Sequence, residues 1–141
     1  MKQLLFSPAG RINRALFWKA TILILVADLV AGVLCKILGG VIPNQAMEDG
    51  SYNVTGAAAL PFIVIIFGFG VFSVWAGICI GIKRYHDRDK SGVWLLIQFV
   101  PLIGSLWYLI ETGFLAGTHG ANRFGSDPLL RAGAAPYATV A

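Results

Sequence analysis

Charge is scarce in this chain. Charged residues make up 13% of it, against about 25% in an average soluble domain, and the stretch from Ala57 to Ile82 carries none. Hydrophobic residues reach 57% of only 141 residues. A soluble domain of that size could not keep so much apolar surface from water, and the excess is blocked into long runs, which is the membrane pattern. Cysteine and histidine are also rare. Cys35 and Cys79 fall in apolar runs, near opposite membrane faces in the threading below, whereas a bridge needs Cα atoms within roughly 7 Å. Neither cysteine has a second Cys or a His at zinc-ligand spacing. The histidines are His86 and His119, too few for a metal phosphohydrolase. No cofactor and no metal are therefore expected. There is no glycine-rich loop to pair with the His86-Asp87-Arg88 string, and no room for a kinase domain around it.

Three apolar runs remain. The first, about residues 15–38, holds Asp28 near its middle, at a cost of about 2.5–3.5 kcal/mol. Eleven Leu, Ile and Val residues from Ile22 to Leu38 return about 0.3–0.6 kcal/mol each, so insertion wins. Lys2, Arg11 and Arg14 precede this run as in a signal peptide. The run carries Asp28, lacks a small-x-small site, and has Leu34 rather than a small residue before Cys35. It is read as a retained span. The second run, residues 60–82, is the clearest. From Phe62 to Ile82 a helix is about 31 Å long, close to the hydrocarbon thickness, and Pro61 suits a first-turn position. The third, residues 93–111, contains Gln98, Pro101 and Gly104, and the last two weaken a helix midway. It either crosses with a kink or dips in and returns. Three crossings is the expectation adopted. The fold class is thus all-α, a polytopic membrane protein with three apolar helical segments in a single domain (residues 1–128) and a flexible tail (residues 129–141).

Basic residues set the orientation. Lys2, Arg11 and Arg14 precede the first run, and Lys83, Arg84, Arg88 and Lys90 follow the second; Pro43 to Gly56 has no Lys or Arg but carries Glu48 and Asp49. The N-terminus and the second loop are expected in the cytoplasm, and the first loop outside. Arg123 and Arg131 lie outside with three crossings, inside with a re-entrant third run. Trp18, Tyr85 and Trp94 belong at the inner interface, Trp107 and Tyr108 at the outer one. Trp75 is deeper and is expected to pack within the bundle. The net charge of +4 reflects orientation and anionic headgroups. No basic helix stands free of the membrane for nucleic acid.

Several residues could carry function. Asp28 must be neutral, paired or hydrated at such depth; Ser73 lies at similar depth and Ser105 somewhat further in. The bland reading is a hydrogen bond, the functional one a proton or cation site without a second acidic station. Ser73, Gly77 and Gly81 put small residues on three successive turns of one face, for close packing within the bundle or along a homodimer seam. In the second loop, Asp87 can pair with Arg84 at i, i+3, and Ser91 suits a helix N-cap. Arg11, Arg14, Arg84 and Arg88 could meet phospholipid phosphates. Asn122, Gly125 and Asp127-Pro128 form turns, and Arg123 can pair with a carboxylate or phosphate. With a re-entrant third run, Arg123 could reach Asp87 or Asp89, and Asp127 could reach Arg84 or Arg88.

Three motifs in order carry a resemblance. Gly10-Arg-Ile-Asn-Arg-Ala-Leu-Phe-Trp18 after Phe6, Arg84-Tyr-His-Asp-Arg-Asp-Lys-Ser-Gly-Val-Trp94, and Gly120-Ala-Asn-Arg-Phe-Gly-Ser-Asp-Pro128 resemble the domain-of-unknown-function 805 family of small bacterial inner-membrane proteins. Lys83 for a usual Arg, Tyr85 for Leu and Val93 for Trp are mild departures. The resemblance implies an inner-membrane location and no assigned biochemistry. The residues of interest are therefore a polar, lipid-phosphate cluster (Arg11, Arg14, Arg84, His86, Asp87, Arg88, Asn122, Arg123, Asp127), the intramembrane acid Asp28, and the packing face Ser73, Gly77, Gly81. The leading expectation is a non-catalytic accessory or assembly module binding membrane phospholipid or a larger membrane partner. An oligomeric transport or ion-handling component using Asp28 is the alternative, and a lipid-headgroup enzyme relying on His86 or Asp87 the third.

Overall fold

A computed structural model describes residues 2–41, 45–46 and 52–130. The expected flexible tail falls chiefly on residues 131–141, outside the described residues. The helices are α1 (Lys2–Phe6), α2 (Arg14–Val41), α3 (Leu60–Asp87) and α4 (Ile103–Tyr108). A 3-10 turn, Gly56–Ala59, leads into α3; a 3-10 helix, Gly92–Phe99, and a π-helical turn, Leu109–Phe114, flank α4. The described extended structure is a two-residue antiparallel pairing, with Gln45 opposite Asn53 and Ala46 opposite Tyr52. The described residues up to Thr21 with those from Ala76 to Leu130 form one compact unit, and those of Ile22–Trp75 another.

Two helices are long and apolar enough to cross a membrane, Arg14–Val41 and the stretch Gly56–Asp87. Pro61 occupies the first turn of α3, where its missing N–H costs nothing. In the Ile22–Trp75 unit most apolar side chains are bare: Leu29 is 67% and Phe67 71% exposed. Exposed apolar surface of that extent marks a membrane or protein-contact face. Asp28 is paired there, its Oδ1 accepting from the Ser73 hydroxyl at 2.6 Å, the bond expected from matching depths. Ser105 is exposed. Trp75 departs from expectation: it is 47% exposed rather than packed, because its neighbours along α3 turn the same way, toward the apolar surround.

The third run does not form a third membrane-length helix. It is not one helix. Ser91 caps its start, its Oγ accepting from the Val93 amide, as the sequence suggests. The 3-10 helix then ends at Val100, which is extended (φ −81°, ψ 114°), as a residue before proline prefers. Leu102 takes φ 63°, and α4 returns along the 3-10 helix. Gly104 makes the return possible, since a Cβ there would sit 1.9 Å from the Ile97 carbonyl oxygen. The outcome is a helical hairpin. Val93, Leu96 and Phe99, in line at the 3-10 period, are all exposed, and the tip is barest, with Leu102 at 91%.

Candidate functional site

The hairpin delivers the segment after it to the ends of α2 and α3, all within the first unit. A helix that stops leaves its last carbonyls without intrahelical donors, and here the chain continues as irregular backbone to Gly120. Side chains satisfy seven of these carbonyls. The Thr112 oxygen accepts from Arg84 Nε at 2.7 Å and the Gly113 oxygen from Trp18 Nε1 at 3.1 Å. Phe114 is held by Arg14 Nη1 at 2.9 Å, Leu115 by Arg84 Nη2, and Ala116 by Arg88 Nη1 at 3.0 Å. Arg11 reaches the Thr118 and Gly120 oxygens, each at 2.7 Å. Four cations thus sit at the negative end of a helix, where they are favoured.

Asp87 ties this clamp together. Its Oδ1 accepts from Arg11 Nε and Nη2 at 3.2 and 3.1 Å, and its Oδ2 from Arg84 Nη1, the i, i+3 partner expected. Arg84 is fully buried and Asp87 nearly so. A buried charge pair survives only when its remaining hydrogen-bonding capacity is also met, and the carbonyls do that. Gly117 lies so close that a Cβ on it would be 1.9 Å from Asp87 Oδ2. The Asp87 carbonyl accepts from the Thr118 amide at 2.8 Å.

A second cluster forms on Glu111, which is buried. It accepts from Arg88 Nε at 3.1 Å, from Lys90 Nζ, and from Trp107 Nε1 at 2.5 Å. Burial pushes its pKa up, but the hydrogen bond and charge of Lys90, then Trp107 and Arg88, bring it below the ordinary carboxylate value.

The closing motif folds onto the same surface. Asn122 Nδ2 donates to the His86 carbonyl at 2.9 Å and to Thr118 Oγ1 at 3.0 Å, and Phe124 stacks on the His86 ring, centroids 3.8 Å apart. Arg123 meets Asp89, Nη2 to the carbonyl at 2.7 Å and Nε to the carboxylate at 3.2 Å, one of the two partners expected for a re-entrant run. Asp127 does not meet Arg84 or Arg88. Its oxygens accept from the Leu129 and Gly120 amides, each at 2.9 Å, because Arg84 is consumed by Asp87 and the carbonyls and Arg88 by Glu111 and Ala116. Those two amides, opposed by burial and aided by Arg11 and His119, hold the Asp127 carboxyl below its ordinary range.

The geometry therefore unites Arg11, Arg14, Arg84, His86, Asp87, Asn122, Arg123 and Asp127, places Arg88 beside them on Glu111, and leaves Asp28 in the other unit. The small-residue face divides: Gly81 lies against Leu95 and the Tyr108 hydroxyl, and Gly77 faces open space. The parts that sequence reasoning missed are Glu111, the carbonyls of residues 112–120 and the Trp18 bond. An acid at the end of an apolar run facing a basic loop was the available signal for Glu111. Gly113 and Gly117 gave another, since a Cβ on Gly113 would be 2.9 Å from the Trp18 ring. The cysteines are unbridged, and among the described residues no group of three or more His, Cys, Asp or Glu is placed to hold a metal. A cleft of about 310 Å³ opens beside Asp87, lined by residues 13–15 at the start of α2, residues 116–119, Asp127 and Leu129.

Membrane-length apolar helices joined to an internally paired polar cluster define a small integral membrane protein. The chain belongs to the family described as "Protein of unknown function (DUF805)", whose model matches residues 5–126. It is similar to inner membrane protein YhaH of Escherichia coli (strain K12), 33% identical over 121 residues that cover 86% of each chain. It is also similar to inner membrane protein YhaI of the same strain, 30% identical over 121 residues, 85% of this chain and 84% of the other. Uncharacterized protein YiiR of that strain is 26% identical over 151 aligned positions, 90% of this chain and 89% of the other. No solved structure matches.

Proposed function

We propose that the protein is a non-catalytic module of the bacterial inner membrane. In this reading α2 and α3 cross the bilayer, the hairpin dips in from the cytoplasmic face and returns, and the arginine clamp fixes the hairpin at headgroup depth, where the module meets phospholipid. One observation carries the reading: seven carbonyls between Thr112 and Gly120 take their donors from Arg11, Arg14, Trp18, Arg84 and Arg88. These bonds hold irregular backbone in a fixed place against the ends of α2 and α3, which supports a hairpin anchored where it re-emerges. Acid–base work needs a carboxylate or imidazole able to reach a reacting atom, whereas Asp87 and Glu111 are saturated by cations and His86 is covered by Phe124. Lys and Arg at the α2 start and the α3 end support a cytoplasmic location for both.

A reporter fused after Pro128 tests the arrangement, with a second fused in the segment 43–56. Cytoplasmic activity is expected for the first and external activity for the second. External activity after Pro128 would restore three crossings and remove the clamp's rationale.

A further inference from the structure

The clamp does not use all its cations fully. Arg11 and Arg84 direct their donors inward, and Arg84 is out of solvent's reach. Arg14 is different. It is exposed, it lines the cleft, and it gives only Nη1 to a carbonyl, leaving Nε and Nη2 without partners among the described residues. The Asn13 side chain accepts from the Leu16 amide through Oδ1, which leaves its amide N–H groups for the cleft. His119 lines the same space and is exposed. These donors suit a phosphodiester.

The same cleft carries an acid. Each Asp127 oxygen accepts one backbone amide, and a carboxylate oxygen has room for a second donor. A cleft that offers a free guanidinium and a half-used carboxylate is complementary to a zwitterion. Its depth is fixed by its members. Asn13, Arg14 and Ala15 open a membrane-length helix, with Trp18 one turn further in; the start of such a helix lies at the headgroup layer. Leu129, 69% exposed, gives the cleft an apolar lip.

We propose that this cleft is a binding site for the headgroup of a phospholipid bearing a primary ammonium, with phosphate on Arg14 and Asn13 and ammonium on Asp127. The site rests on the lipid-contacting reading above, and it gives Arg14 a ligand-binding role beside its bond to the Phe114 carbonyl, the other cations being structural.

Native mass spectrometry of the full chain, released from micelles with equal amounts of phosphatidylethanolamine, phosphatidylcholine and phosphatidylglycerol, tests it. Phosphatidylethanolamine should be retained preferentially. Quaternary choline cannot donate to Asp127, and glycerol offers no cation. R14Q should lower retention about tenfold, the loss of one charge-assisted hydrogen bond. A15F fills the cleft while leaving every described hydrogen bond in place, and should lower retention as much; elution as a single species confirms that each variant is folded. Retention unchanged in A15F, or equal for the three lipids, overturns the site while leaving lipid binding elsewhere intact. A wild-type chain that retains no lipid overturns both the site and the reading beneath it.

Discussion

Arg84 shows how one side chain can organise a membrane protein. Its fork donates to two carbonyls and a carboxylate at once, and a planar five-donor group is the side chain able to do so. Replacing it with Lys keeps the charge but cannot span three acceptors. R84K should lose about 1–3 kcal/mol, the value of one or two hydrogen bonds. R84M should lose about 3–5 kcal/mol, because a buried pair broken from one side leaves its partner uncompensated. Thermal unfolding in detergent with a size-exclusion control checks both, and equal stability of R84M and the parent would refute the clamp's structural role. Asp87 and Arg84 at i, i+3 were legible in the sequence. The carbonyl partners were not, because backbone acceptors carry no residue identity.

The hairpin depends on two backbone features more than on hydrophobicity. Pro101 straightens Val100 and Gly104 lets α4 lie on the Ile97 carbonyl. G104A must separate the two arms and should cost at least about 1–3 kcal/mol. G77A adds a methyl to open space and should be neutral or stabilising by up to about 1 kcal/mol, the helix preference for Ala. The contrast, read as paired melting midpoints, separates a true close approach from a mere run of small residues. The sequence identified both helix-weakening residues, yet length alone allowed one crossing. The fold-back itself turns on the Leu102 conformation at φ 63°, which a leucine rarely adopts and which no pattern announces.

For the molecule as a whole, hydropathy revealed the two long helices, and the three motifs revealed the family. Hydropathy could not reveal that Arg11 and Gly120 meet, since that contact depends on the fold-back of an apolar segment between them. The assembled cluster has a titration consequence. Glu111 and Asp127 both have carboxyl pKa values below the ordinary 4.5 and 3.8, so their ionised forms favour the folded state. That stability is complete above these ordinary values and is lost as pH falls through the lower folded ones. Their share of the stability should be lost below about pH 4.5, read as a decline in melting temperature that is shallower in E111Q; burial raises the Asp87 carboxyl and lowers His86, and these two groups add their own pH dependence. A decline in E111Q as steep as the parent's would contradict the Glu111 pairs.

The clamp joins segments far apart in the polypeptide. Arg11 is synthesised before its acceptors at Thr118, Gly120 and Gly125, which are more than 100 positions downstream. In the proposed arrangement both long helices are made before these groups can meet. A nascent chain that stops before the closing motif leaves the Arg11 guanidinium without these acceptors.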